Sequence, residues 1–503
     1  MNRSILRFKV LATMIMLTFL IAGCASTKTD SFPSTSNDLS KLNWKTCYSG
    51  FQCATLKVPI DYTDTALGTF DIAVIRYRDP NQHDRIGSLV INPGGPGVSG
   101  INFVLDAEYT LNPDTLERYD IVGFDPRGVG QSSAIHCLND SEQDAAFASD
   151  PRPDTDEEFA QALTDTQDFI DKCIENTEHI QYFSSLNVAH DMDLLRQYLG
   201  DTRLNYMGFS YGTYLGTLYA QQYPYKVGRF VLDGAINPLI SAEQQALVQV
   251  GAFDKALSNF INDCLGQKDC PLPKNASGSF FTDLFESVAD KPLVINENGS
   301  TRLITEGLVV TGTAAALYDD ITGWPLLQAA IAQALDGDGA GFAQLADGYY
   351  GRTNDGTYLD NQNDANIIID CLDWPSSSTN EEIRAAAAKF AKTAPVFGPY
   401  VAYSEVTCNL LIQTVGKEIN QINLNTMQIK PTNPVLIIGT TQDPATPYAW
   451  AKALNTYILG SRLVTLKGEG HTGYGRGSAC TDDAVDNYLT TGHLPAQNIT
   501  CSQ

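Results

Sequence analysis

The chain has 503 residues, 43% of them hydrophobic, which is enough to bury a large core. It carries 33 Lys and Arg against 58 Asp and Glu, for a net charge of −25. That balance excludes a nucleic-acid partner held through phosphates, which requires the opposite sign, and the excess acid reads as solvated surface.

At the N-terminus, Arg3, Arg7 and Lys9 precede an apolar run from Val10 to Ala22. The run is too short to span a bilayer comfortably, and its layout is that of a signal peptide over residues 1–23. The small residues of Ile21-Ala22-Gly23-Cys24 resemble a bacterial lipobox, making Cys24 the expected lipidation site and a membrane the expected anchor. Residues 24–40, rich in Ser, Thr and Asp, read as a flexible tether. Ten more cysteines follow: Cys47, Cys53, Cys137, Cys173, Cys264, Cys270, Cys371, Cys408, Cys480 and Cys501. An even number in an exported chain argues for disulfides, and no pair has the CxxC spacing of a zinc site. Pairing in chain order closes only short loops and is the working hypothesis. No metal or cofactor is expected.

Short β-rich runs recur at Ala54–Ile60, Phe70–Tyr77, Gly87–Asn92, Tyr119–Phe124, Leu204–Gly208, Arg229–Asp233, Val435–Gly439 and Arg462–Leu466. The later ones are nearly continuous apolar runs, as parallel strands covered on both faces require. Helical patterns lie between several of them, at Asp156–Glu175, Val188–Leu199 and Tyr211–Tyr223. This alternation predicts an eight-stranded, mostly parallel α/β sheet. Residues 236–430 interrupt it between the sixth and seventh strands. Nearly 200 residues cannot be a loop. They read as a mainly helical cap over the strand ends, the place where open α/β sheets bind ligands. The flanking parts, 41–235 and 431–503, form the expected main domain.

Gly208-Phe209-Ser210-Tyr211-Gly212 follows a strand and opens a helix. It is a G-x-S-x-G elbow, whose tight turn exposes the serine hydroxyl at a helix N-terminus. A nucleophilic serine needs a base, and the chain has six histidines. His471, in Gly468-Glu469-Gly470-His471, follows the last predicted strand, where the order Ser…Asp/Glu…His puts the base. His190 and His493 read as surface residues, while His83 and His136 precede the serine. Asp443, after the seventh strand, is the expected acid; its competing role is a helix cap before Pro444, and Asp233 is the fallback. Asn92-Pro93-Gly94-Gly95-Pro96-Gly97 follows the third strand and offers an oxyanion donor at Gly95, paired with the Tyr211 N–H.

Together with Gly123-Phe124-Asp125-Pro126-Arg127-Gly128, Val58-Pro59-Ile60-Asp61-Tyr62, Arg229–Gly234 and Cys371-Leu372-Asp373, these motifs resemble the proline iminopeptidase and tripeptidyl aminopeptidase family from about Cys47 onward. The resemblance implies an α/β-hydrolase fold and a serine exopeptidase that releases short peptides from free N-termini through an acyl-enzyme. It also implies acids near the insertion that hold the substrate amine. Asp319, Asp320, Asp370, Asp373 and Glu405 are candidates, with Asp373 preferred for its place in the family-like phrase. Asp125 and Arg127 are expected to shape the loop beside the site. Two other readings stand beside this one: a carboxylesterase or lipase with the same triad, and a non-catalytic binding protein on the same scaffold.

Overall fold

Alternating apolar residues in Phe51–Pro59 (β2) and Thr69–Arg78 (β3) bury one face of an antiparallel pair, with Lys45–Thr46 (β1) on its outer edge. A computed structural model describes residues 42–297, 299–415 and 428–503. The signal peptide, Cys24 and the tether lie outside the described residues, as do residues 416–427 of the insertion.

Gly87–Asn92 (β4) and Tyr119–Phe124 (β5) are buried at every position. Leu204–Phe209 (β6) and Val227–Asp233 (β7) continue the sheet. Leu293–Glu297 (β8) and Ser300–Ile304 (β9) form a separate hairpin, and Val435–Gln442 (β10), Arg462–Glu469 (β11) and Ile499–Ser502 (β12) complete the main sheet. Its order is β1-β2-β3-β5-β4-β6-β7-β10-β11-β12, parallel from β5 to β12. All eight expected strands form. The sheet has ten because β1 and β12, of two and four residues, add short edges that carry no readable period. The β8–β9 hairpin likewise puts strand into a region read as helical.

The described residues between β7 and β10 are otherwise mainly helical and contribute to two separate cores. Phe260, Phe281, Phe285, Ile331 and Phe342 belong to a core of the insertion's own. Helix Gln362–Asp373 does not join it: Ala365, Ile368, Ile369 and Leu372 pack into the core under the sheet, with Tyr211 and Tyr214. We call this element the strut helix. The ten cysteines are bridged in chain order as Cys47–Cys53, Cys137–Cys173, Cys264–Cys270, Cys371–Cys408 and Cys480–Cys501. The fourth bridge ties the strut helix to helix Glu405–Val415. Among the described residues, no helix is long and apolar enough to cross a membrane.

Candidate active site

The parallel strands end on one side of the sheet, and the turn after β6 carries Ser210. Its backbone sits at φ 53° and ψ −123°, a conformation that costs a non-glycine residue energy and persists only where its surroundings enforce it. The enforcement is visible. The Ser210 N–H donates to the Asp233 carbonyl at 2.8 Å, and the Ser210 carbonyl accepts from the Thr213 hydroxyl at 2.6 Å. A Cβ on Gly212 would lie 2.7 Å from the Asn92 carbonyl, so glycine is needed there for the helix Tyr211–Gln222 to approach β4.

The loop after β4 lies directly on this elbow. Gly94, at φ 105°, has no room for a Cβ, which would stand 2.6 Å from the Phe209 carbonyl and 3.1 Å from the Tyr211 nitrogen. The Gly94 N–H is taken up by Asn92 Oδ1 at 3.0 Å, and the next residue, Gly95, is exposed. Gly95 and Tyr211 are thus brought to adjoining loops.

His471 follows β11, between Gly470 and Thr472, both with positive φ. Its Nδ1 lies 3.0 Å and 2.9 Å from the two oxygens of Asp443. The Asp443 carboxylate is fully buried and accepts from every other neighbour: Oδ1 from the Ala445 and Thr446 amides at 2.9 and 2.8 Å, Oδ2 from the Thr446 hydroxyl at 2.8 Å and the Thr472 amide at 3.1 Å. A carboxylate ringed by donors can only accept, so the network assigns the imidazole proton to Nδ1 and leaves Nε2 as the basic nitrogen. The next helix starts at Tyr448 with Pro447 before it, so Asp443 is not its cap.

Asp233 has a different place. Its Oδ2 accepts from the Gly473 and Tyr474 amides at 3.1 and 2.8 Å, its Oδ1 has no hydrogen-bond partner among the described residues, and burial pushes its carboxyl up to about 6. It braces the histidine loop and the elbow rather than the imidazole. His190 is bonded to the Tyr223 hydroxyl at 2.6 Å, with burial holding its imidazole down to about 4.

Asp125 and Arg127 are both fully buried. Asp125 accepts from the Ser99 hydroxyl and the Ile101 and Gln131 amides at 2.6, 3.2 and 2.9 Å. Arg127 uses all five of its N–H groups: two on Asp191, at 2.7 and 2.6 Å, and three on the carbonyls of Pro59, Ile60 and Tyr182. No donor remains for a substrate. Arg127→Ala would leave the buried Asp191 with the Tyr62 hydroxyl but no counter-charge, so it is expected to destabilise the fold by about 3–5 kcal/mol. Urea unfolding reads this directly, and an unshifted midpoint would contradict it.

The insertion acids separate clearly. Asp319 and Asp320 pair with Arg476 at 3.2 and 2.5 Å, and Glu405 accepts from the Ser376 and Ser378 hydroxyls at 2.6 and 2.9 Å. Asp373 lies against the elbow, but its oxygens are taken: Oδ1 by the Ser185 amide at 2.8 Å, Oδ2 by the Ser185 and Tyr211 hydroxyls. Asp370, one turn earlier on the strut helix, makes no side-chain hydrogen bond or ion pair among the described residues and is partly open to solvent. Burial, then the charge of Asp373, pushes its carboxyl up to about 8. Its charge bears on Tyr211, Tyr214 and Tyr349, so it lies near the elbow helix.

Three contacts have no simple sequence signal. Asn366 of the strut helix donates to the Pro96 carbonyl at 3.1 Å, so one helix holds the loop after β4 and, through Asp373, the side chain of Tyr211. Tyr318, in the insertion, accepts the His471 N–H on its carbonyl at 2.8 Å and sets its ring edge against the imidazole, 5.4 Å between centroids at 89°. Thr446 bridges Asp443 and His471 Nδ1, the latter at 3.3 Å; its position in Asp443-Pro444-Ala445-Thr446 is the nearest thing to a signal among the three. Among the described residues, no group of His, Cys, Asp or Glu is arranged to hold a metal ion.

Residues 87–324 match the family model for the alpha/beta hydrolase fold, and residues 394–501 match the model described as TAP-like protein. The chain is 33% identical to the serine protease Hip1 of Mycobacterium tuberculosis over 476 residues, covering 90% of this chain and 87% of that protein. It is 33% identical to carboxylesterase B of the same species, over 90% and 86% of the two chains. It is 28% identical to the tripeptidyl aminopeptidase of Streptomyces coelicolor, over 92% and 86%.

Proposed function

From the premise that this chain belongs to the α/β-hydrolase family, in the branch with a TAP-like C-terminal region, and is a serine hydrolase, we propose that it is an exopeptidase releasing short peptides from free N-termini. Ser210 Oγ attacks the scissile carbonyl while His471 Nε2 takes its proton. Asp443 holds the imidazole by Nδ1 and stabilises the imidazolium. The Gly95 and Tyr211 amides receive the oxyanion. His471 then protonates the departing amine, and water, activated the same way, cleaves the acyl-enzyme.

The observation that carries the exopeptidase reading is Asp370, a carboxyl with no hydrogen-bond or ion-pair partner among the described residues, one helical turn from the residue that holds Tyr211. A substrate ammonium supplies the partner it lacks. Asp370→Asn is expected to lower kcat/KM on free N-terminal substrates by about 10 to 100-fold, the loss of one charge-assisted bond, and to leave N-blocked substrates unaffected. The pH dependence has a definite sign. The Asp370 carboxyl is largely protonated at pH 7 in the free enzyme, whereas the ammonium-bound form is ionised, so binding releases a proton. On free N-terminal substrates kcat/KM should rise towards pH 8 more steeply than on blocked ones. It should fall again as the substrate α-amine, of ordinary pKa about 7.7–8.0, loses its own proton. Equal activity on blocked and free peptides sinks the reading.

The likeness to a protein named carboxylesterase B supports a second reading, ester hydrolysis by the same residues. Turnover of p-nitrophenyl esters with none of peptidyl anilides would select it.

A further inference from the structure

We infer that the cavity behind Tyr318 is a subsite for an apolar or aromatic side chain on the leaving-group side of the scissile bond. This rests on the exopeptidase reading above. The cavity measures about 410 Å³ and lies between helices Ala242–Gly266, Glu306–Ala316 and Ala340–Tyr350 of the insertion, with Pro151 of the main domain also lining it. Such a volume is in the range of small-ligand pockets, about 300–1,000 Å³.

Its chemistry selects the occupant. Phe253, Val310, Tyr318, Tyr349 and Phe397 give it an aromatic and aliphatic wall, and no charged side chain lines it. The donors of its polar side chains are largely engaged: Thr311 and Tyr350 hydroxyls bond each other at 3.0 Å, Tyr400 donates to Glu306 at 2.6 Å, and Gln249 donates to the Ala445 carbonyl at 2.7 Å. A charged guest finds no counter-charge there, whereas an apolar one needs none. The cavity adjoins the triad through one shared wall, Tyr318, and its rim residue Tyr349 is 46% exposed.

Its side of the reaction follows from two walls. Tyr318, shared with the cavity, stands edge-on to His471, and Gln249 reaches the segment just after Asp443. His471 delivers the proton to the departing amine, so the leaving chain passes on this side. Tyr211, whose amide is the other oxyanion donor, opens the elbow helix. The first leaving residue therefore points towards Tyr318.

Acyl transfer tests this. An added amine attacks the ester carbonyl of the Ser210 acyl-enzyme: a C–N bond forms, the C–Oγ bond breaks, and the amine proton returns to Oγ through His471. A tripeptide methyl ester with a free N-terminus serves as donor, because methanol leaves the cavity empty. With equal concentrations of phenylalaninamide or glycinamide as acceptor, the ratio of peptide amide to free acid is expected to be about tenfold or more higher for phenylalaninamide. Ala314→Trp and Val401→Trp fill the cavity from separate helices, and each should lower the phenylalaninamide ratio to the glycinamide value. Equal ratios in the unaltered enzyme, or a preference untouched by both fillings, overturn the subsite. No turnover of the ester overturns the exopeptidase reading and the subsite together. Equal turnover of an N-blocked ester removes the exopeptidase reading alone, since the acceptor preference still reports on the cavity.

Discussion

Ser210→Ala is expected to lower kcat/KM on a free N-terminal peptidyl anilide by about 10³-fold or more, and to abolish labelling by a fluorophosphonate probe. The change should leave the fold alone. The bonds that hold residue 210 in its unusual conformation come from its main chain, to the Asp233 carbonyl and from Thr213, and alanine retains them. Only the nucleophile is removed. Residual turnover reflects the Gly95 and Tyr211 amides and substrate positioning, which the variant keeps. Near-normal turnover, or unaltered probe labelling, would take Ser210 out of the chemistry.

Asp443→Asn should cost about 10⁴-fold in kcat with little change in KM. The carboxylate accepts on both oxygens, and an amide has only one acceptor to offer. With its oxygen kept towards the Ala445 and Thr446 amides, its nitrogen faces His471 Nδ1 and donates to it. The imidazole proton then moves to Nε2, and the base points a hydrogen at the serine. Asp233→Asn is the control. Its Oδ1 has no hydrogen-bond partner among the described residues, so an amide nitrogen can sit there while the oxygen keeps Gly473 and Tyr474. The expected loss is about tenfold or less. A reversed pair of results would reassign the acid.

Much of the candidate site's placement could be read without coordinates because parallel strands buried on both faces write continuous apolar runs. The residues after β4, β6, β10 and β11 are located by those runs, and Ser210, Asp443, His471 and Gly95 stand there. The strut helix was not legible. Ile367-Ile368-Ile369 is a β-branched run that favours strand, and burial in the core under the sheet overrides that preference. The choice between Asp370 and Asp373 was likewise closed to local reasoning. The two are one turn apart, and what separates them is Ser185 and Tyr211, which arrive from more than 160 residues away. The β8–β9 hairpin did have a signal, the Asn298-Gly299 dipeptide, outweighed by the helical patterns on either side.

The bridging of the cysteines in chain order bears on how the protein is made. The paired residues are separated by 6, 36, 6, 37 and 21 positions. In a chain that emerges N-terminus first, each odd-numbered thiol meets its native partner before any other new cysteine appears. The shorter loops also close at the smaller entropic cost. Oxidation can therefore follow emergence without reshuffling. The long insertion adds no thiol that must wait for the C-terminal strands, even though those strands complete the sheet begun before it.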